Sequence, residues 1–294
     1  MAQPVIRAAT ERDMPGMFEI FYLNEMRGVV DPPPRGAVPA WVGHVLATGD
    51  VLVAERGDEL LGFAGLTTRS DIAFLTDLFV RPGAQSAGIG RALLRAILPT
   101  GGRIACTMAS SDPRALALYI RAGMVPQWPN FWLIGESSVL RLPEDSVEVV
   151  AAEPEDAELL RWDRAIAGRE RPQDHRFWVA GQAGIPLWFR RDGQAVGYGY
   201  SRAAASLPWQ REALTLGPIG AQMPDDALAC ALAAVRWGRE RASLLRLAVP
   251  GPHPALRPLL DAGFRIADFD TFASTANASF FDPRCYLSTG GETF

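Results

Sequence analysis

The chain contains no lysine: all 29 of its basic residues are arginine. That absence removes a Schiff-base cofactor, a phosphate loop built around an ammonium group, and acetylation of the chain's own lysine side chains. A codon bias that also enriches alanine, glycine and proline accounts for it. Cysteine is scarce too. Cys106, Cys230 and Cys285 are odd in number and far apart, which argues against a disulfide framework and a clustered metal site and leaves reduced, packed thiols. The three histidines, His44, His175 and His253, stand in unrelated contexts and read as structural or solvated residues. There is no apolar run long enough to span a bilayer and no charged start followed by an apolar signal core, so a cytoplasmic protein without a membrane role is expected. A formal net charge of −4 gives no bulk attraction to nucleic acid. What is present, 294 residues that are 48% hydrophobic and 21% charged, suffices for about two domains with real cores. The oligomeric state is left open.

One stretch, from Leu78 to Leu94, reads as a strand, a tight loop and the opening of a helix. Ala73-Phe74-Leu75-Thr76 leads into Leu78-Phe79-Val80 as an apolar run of strand length, and Pro82-Gly83 stops it. Leu93, Leu94, Ile97 and Leu98 keep helical spacing behind Ile89 until Pro99 and the Gly101-Gly102 pair. Gly88 and Gly90 carry no side chains, so the backbone N–H groups of the first turn can close on a phosphate at the positive end of the helix. The same glycines also suit a plain strand-to-helix turn. The loop lacks the Gly-Lys-Ser/Thr ending of a nucleotidase loop and the third glycine of a dinucleotide fingerprint.

A second segment, Asp112-Pro113-Arg114-Ala115 running on to Leu118-Tyr119-Ile120-Arg121-Ala122-Gly123-Met124, follows a strand-like stretch from Arg103 to Ala109. In order and spacing, the Gln85-x-x-Gly88-x-Gly90 loop and this segment resemble the GNAT N-acetyltransferase superfamily. The resemblance implies acetyl-CoA as cosubstrate and no metal. It places the pyrophosphate on Gln85, Ser86, Ala87, Gly88, Ile89, Gly90 and Arg91, and the pantetheine arm on the backbone of Leu78, Phe79 and Val80. Asp112, Arg114 and Ala115 would add contacts from the second segment. It also implies that Tyr119 protonates the departing thiolate, although that tyrosine reads equally as a half-buried packing aromatic.

The chain reads as one fold written twice, and the resemblance extends over essentially its whole length. Strand Val5 to Arg7, a Thr10/Asp13 capping pattern, a helix through Tyr22 and a hairpin across Arg56-Gly57-Asp58 recur in order. Their counterparts are strand Val147 to Val150, a helix from about Glu153, and a hairpin across Asp192-Gly193. Strand Ala213 to Leu216, helix Ala227 to Trp237, strand Leu244 to Val249 and Leu259 to Phe264 complete the copy. The expected architecture is α/β, two tandem GNAT-like domains each with a central mixed sheet flanked by helices. Residues 1–143 form a catalytic domain and 147–294 a degenerate one, joined across Leu142-Pro143-Glu144-Asp145-Ser146. The second copy offers Gly217 to Asp226 in place of the glycine loop, with Asp225 and Asp226 at the helix start, where they would repel a pyrophosphate. Counted back from the matching glycines, Tyr119 corresponds to Leu259.

An acceptor amine must lose a proton before it attacks, which calls for a carboxylate or a water relay. Asp77, on the strand entering the site, and Glu25, in the helical region that binds substrate in the family, are the candidates. Each also reads as a solvated or capping carboxylate. Trp41, Trp128, Phe131 and Trp132 fall in segments that border the acceptor groove in relatives and suit an apolar or aromatic amine, though tryptophan is more often a packing residue. Asp31-Pro32-Pro33-Pro34-Arg35-Gly36 reads as a loop over that groove or a plain surface connection. The leading expectation is an acetyl-CoA-dependent N-acetyltransferase of a small-molecule amine. The alternatives are a non-catalytic acyl-CoA sensor, which needs the loop but not Tyr119 or a base, and an interaction scaffold, against which the intact Gly88 and Gly90 argue.

Overall fold

The computed structural model describes residues 4–143, 146–203, 207–209, 212–291 and 293–294; Glu144 and Asp145 of the expected linker lie outside them. Its contacts divide the chain into two compact units, Met1–Thr107 with Ser206–Gln210, and Met108–Ala205 with Arg211–Phe294.

In the first unit β1 (Val5–Ala8) is followed by α1 (Met14–Glu25), α2 (Ala40–Thr48), β2 (Asp50–Arg56), β3 (Glu59–Arg69), β4 (Ile72–Val80), α3 (Ile89–Ile97) and β5 (Ile104–Ala109). The sheet runs in that strand order, antiparallel from β1 to β4 and parallel between β4 and β5, so it is mixed as expected. From Leu61 to Thr67 β3 is buried without alternation, the pattern of a strand covered on both faces. One cover is α3, whose Ile89, Leu93, Leu94 and Ile97 fall on a single stripe and are all buried. Burial of each such side chain stabilises by roughly 1.5–3 kcal/mol. Ahead of α1, Asp13 accepts from the Thr10 backbone N at 2.7 Å and from both terminal nitrogens of Arg7 at 2.8 and 2.9 Å. The Arg7 hydrogen bonds hold its carboxyl down at about 2.

The second unit contains α4 (Pro113–Arg121), β6 (Val125–Glu136), β7 (Glu148–Ala151), α5 (Ala157–Ala167), α6 (Pro172–Gly181), β8 (Gly184–Arg191) and β9 (Gln194–Arg202). Then come β10 (Leu214–Ala221), α7 (Pro224–Arg239), β11 (Leu244–Pro250), α8 (Leu256–Asp261), β12 (Arg265–Ser274) and β13 (Tyr286–Leu287). Its strands follow the order β12-β6-β11-β10-β9-β8-β7, with β13 on β10. Strand β6, from the first half of the sequence, is thus paired on both edges within the second unit, from Leu244↔Glu136 to Pro250↔Asn130 and from Arg265↔Ile134 to Ser274↔Val125. The contact boundary accordingly falls after Thr107, ahead of the linker that the sequence repeat suggests.

Two sequence expectations need correction. The helix expected from Glu153 begins at Ala157, because the Asp156 side chain caps it by accepting from Glu158 N and Leu159 N. The strand expected to end at Leu216 continues to Ala221: a register shift between Leu216 and Ile219 absorbs Gly217 and Pro218. Only Gln222 and Met223 then separate β10 from α7. Trp128, Phe131 and Trp132 lie on β6 and make packing contacts within the second unit, the other reading the sequence offered for them: Trp128 on Phe272 and Phe281, Phe131 against Phe269, and Trp132 through its Nε1–H to Asp270 at 2.7 Å.

Candidate active site

The parallel pairing of β4 with β5 runs from Ile72↔Ile104 to Leu75↔Thr107 and stops there, while β4 continues to Val80. Where it stops, Thr76 is an extra residue against β3: Leu66 pairs with Leu75 and Gly65 with Asp77. Such a bulge bends a strand and re-aims the side chains beyond it. Leu78, Phe79 and Val80 remain paired with β3 on one edge, opposite Ala64, Phe63 and Gly62, and among the described residues no strand pairs with their other edge. An unpaired strand edge offers main-chain donors and acceptors to any peptide-like ligand.

The loop beyond β4 is pinned at both ends. Arg81 N donates to Leu61 O, and the Arg81 guanidinium reaches Leu60 O and Glu19. The Gln85 side chain turns inward, donating from Nε2 to Asn24 Oδ1 at 2.9 Å and to Val80 O at 3.2 Å, and Asn24 Nδ2 also donates to Val80 O. Gln85 therefore ties the loop to the end of α1, and Asn24, which no sequence pattern singled out, completes the tie. Ser86 and Gly88 have φ of +69° and +83°, a conformation that turns successive N–H groups to one side. Gly88 caps α3, and no atom of the described residues would lie within 4 Å of a Cβ built there, so the space beside it is open. No acidic side chain occupies the first turn of α3. This concave run of amides at a helix start is complementary to an anion.

Of the candidate bases, Asp77 lies beside the bulge, 7% exposed, and accepts from Thr76 Oγ1 at 2.7 Å. Glu25 is the exposed last residue of α1. Both belong to the first unit, together with Leu78 to Val80 and Gln85 to Arg91. Tyr119, Asp112, Arg114 and Ala115 belong to the second. Tyr119 is buried on α4, and Asp112 caps that helix by accepting from Arg114 N at 2.9 Å while its carboxylate pairs with the Arg114 side chain at 2.6 Å. Trp41, on α2, packs edge-on to Phe21, and its buried Nε1–H has no partner among the described residues.

The second unit repeats this frame with different contents. Its parallel pairing, Leu214↔Leu245 and Thr215↔Arg246, also stops at a bulge. There the freed edge of β10 is taken by β13, with Ile219↔Leu287 and Gly220↔Tyr286 antiparallel and Ala221 N donating to Cys285 O. Asp225 and Asp226 stand in the first turn of α7 as expected, and Asp226 pairs with Arg191 at 2.6 Å. The correspondence of Tyr119 with Leu259 is visible in the backbone: Met124 N donates to Tyr119 O and Phe264 N to Leu259 O, each at 3.1 Å, across Gly123 and Gly263 at positive φ. Behind β10, the buried Asp163 accepts from Arg171, His175 and Tyr198, and Arg171 also reaches Tyr286 and Phe294 O. Burial would push the Asp163 carboxyl up, but Arg171 and His175 outweigh it and hold it well below the usual range. Sequence pattern gave no sign of this cluster.

Residues 47–125 match the family model described as an acetyltransferase (GNAT) domain, a span that includes both the glycine loop and the Tyr119 segment. A mycothiol acetyltransferase of Nocardia farcinica is 32% identical over 143 residues, covering 44% of this chain and 47% of that protein, so the match spans about half of that relative's length. Among solved structures, a candidate acetyltransferase of Pyrococcus horikoshii superposes with a TM-score of 0.76 at 19% identity, over 100% of this chain and 97% of that one. A tandem GNAT protein from the clavulanic acid biosynthesis pathway gives a TM-score of 0.62 at 16% identity, over 94% of this chain and 100% of the other. At these identities the structural likeness is one of fold. Among the described residues no helix is long and apolar enough to cross a membrane.

Proposed function

We propose that this chain is a two-domain GNAT member acting as an acetyl-CoA-dependent N-acetyltransferase of a small-molecule amine, with the cosubstrate held by the first unit; the acetyltransferase match over residues 47–125 and the likeness of fold to a tandem GNAT protein support this reading. The observation that carries this reading is the open edge of β4 leading directly into a loop with a left-handed Gly88 and clear space above it. A peptide-like pantetheine arm matches the first feature and a pyrophosphate the second.

In this reading the backbone of Leu78 and Phe79 supplies hydrogen bonds to the arm and polarises the thioester carbonyl, stabilisation by donors already in place. The carbonyl of Val80 is taken by Asn24 and Gln85, so its contribution is to fix the strand end rather than to accept from the ligand. Amides from Ser86 to Arg91 hold the pyrophosphate, and the Arg91 side chain adds positive charge. Asp77, rather than the exposed Glu25, is the preferred base: it stands beside the strand edge where the thioester is expected, and its hydrogen bond from Thr76 fixes its orientation. The family resemblance assigns to Tyr119 the proton that the departing thiolate needs. The reaction moves an acetyl group from sulfur to nitrogen, with one proton leaving the amine and one reaching the sulfur.

A panel of amines incubated with acetyl-CoA and followed by release of free thiol tests the proposal. Saturable, enzyme-dependent thiol release with at least one amine is the expected outcome. Tight CoA binding without release on any amine would favour the acyl-CoA sensor.

A further inference from the structure

The geometry points to Trp209 as a specificity-determining wall of the acceptor site, and to an acceptor amine carried on a flat aromatic body; the inference rests on the acetyltransfer reading and names its substrate class. Helix α1 places Phe18, Phe21 and Tyr22 on one face, at i, i+3 and i+4. Trp209, from the segment between β9 and β10, covers that face within the first unit. Its ring stacks on Phe18 at 5.6 Å and 16° and on Phe21 at 6.1 Å and 30°, and meets Tyr22 edge-on at 5.3 Å. Phe21 in turn meets Phe79, on the open strand edge, at 4.9 Å and 78°. The rings therefore run without interruption from Trp209 to the strand that would hold the thioester.

Phe18 is buried, while Phe21, Tyr22, Phe79 and Trp209 are only half-buried. A contiguous aromatic surface left partly open beside a reactive centre is a binding surface rather than spare core. Trp209 is held in place: Pro208 packs so closely on Gly36 that a Cβ there would come within 2.6 Å of it, and Tyr22 donates its hydroxyl to Pro33 O in the same proline-rich loop. Ring faces and edges attract another ring in stacked or edge-on geometry, and an approaching ammonium group as well, whereas a small polar amine gains little from them.

The test compares 2-phenylethylamine with ethanolamine in the full chain, for the wild type, Trp209→Ala and Trp209→Phe. The expected result is a wild-type preference for 2-phenylethylamine. Trp209→Ala raises its KM about tenfold, Trp209→Phe restores most of the loss, and KM for acetyl-CoA and the rate with ethanolamine stay within about twofold. Equal losses on both amines, or a wild-type preference for ethanolamine, overturn the inference. If neither amine is acetylated, the wider amine panel decides the acetyltransfer reading separately, and titration of 2-phenylethylamine into the CoA-saturated protein decides the inference: binding abolished by Trp209→Ala upholds it, and no binding overturns it.

Discussion

The two units build the same strand frame and differ in what lies along one edge. In each, a parallel strand pair comes together for a few residues, a bulge follows, and one strand carries on without its parallel partner. Along β4 that edge remains open among the described residues, whereas along β10 the chain's own Tyr286 and Leu287 have taken it. A peptide-like ligand and a short β-strand make the same kind of hydrogen bonds, so a segment already in place excludes the ligand without any clash. The anion end shows the same contrast, with open amides and a left-handed glycine before α3 but two residues of linker and two aspartates before α7. The fold therefore supplies a potential site twice, and which copy can work depends on backbone groups left unpaired.

The comparison breaks most directly on stoichiometry. Calorimetry with CoA should show one site per chain, and Gly88→Val should weaken binding more than 100-fold, because a β-branched residue resists the φ of +83° and its side chain projects into the space above the loop. Thermal stability should fall by only the strain of that φ, about 1–2 kcal/mol, since no atom of the described residues lies within 4 Å of the added Cβ. Two comparable wild-type sites, or a site that survives the substitution, would place binding in the second unit. The next effect is on stability. Asp163→Asn leaves the fully buried Arg171 without its counter-charge and should cost about 3–5 kcal/mol in urea unfolding, with CoA affinity unchanged while the protein stays folded. A loss below about 1 kcal/mol would show that the cluster is not what holds the second unit together.

How much of this was legible follows from which residues punctuate the chain. Gly57-Asp58 and Asp192-Gly193 announced both hairpins, Pro82-Gly83 and Gly88 announced the loop, and Gly123 and Gly263 aligned Tyr119 with Leu259. Punctuation also misled. Gly217 and Pro218 argue against a strand interior, yet a bulge admits them and β10 runs on. Pro126 and Pro129 likewise hide β6, whose pairing depends on strands more than a hundred residues away. Strand β13 is two residues long and Trp209 sits in a connection without periodicity; contacts made only in the folded chain define both, and no local pattern can report them.

The proposed proton donor sharpens the comparison further. Tyr119 and Leu259 occupy the same backbone position, so removing one hydroxyl should matter where it serves chemistry and nowhere else. Tyr119→Phe should lower kcat about 100-fold while leaving the CoA dissociation constant within about threefold, and Leu259→Tyr should add no activity. An unaltered rate in Tyr119→Phe would assign the proton to water or to another group.

The smallest effect separates the units by pH. His253 lies in the second unit, 3% exposed, with its Nδ1 accepting from Ala255 N at 3.1 Å. Burial pulls its pKa down to about 3 against a lesser opposing pull from Asp282. Below its ordinary value of 6.5 the unfolded chain takes up a proton that the folded chain refuses. Stability from this group is therefore complete above pH 6.5 and falls by about 1.4 kcal/mol per pH unit until the folded value is reached. The first unit responds later, because the Asp13 carboxyl, held at about 2 by Arg7, keeps its contribution until the pH drops below the unfolded value of 3.8. Between pH 7 and pH 5 the wild type should lose about 2 kcal/mol more than His253→Asn in urea unfolding. Hydrogen exchange should place the loss in amides of the second unit, where an identical pH slope in the variant would sink the assignment to His253.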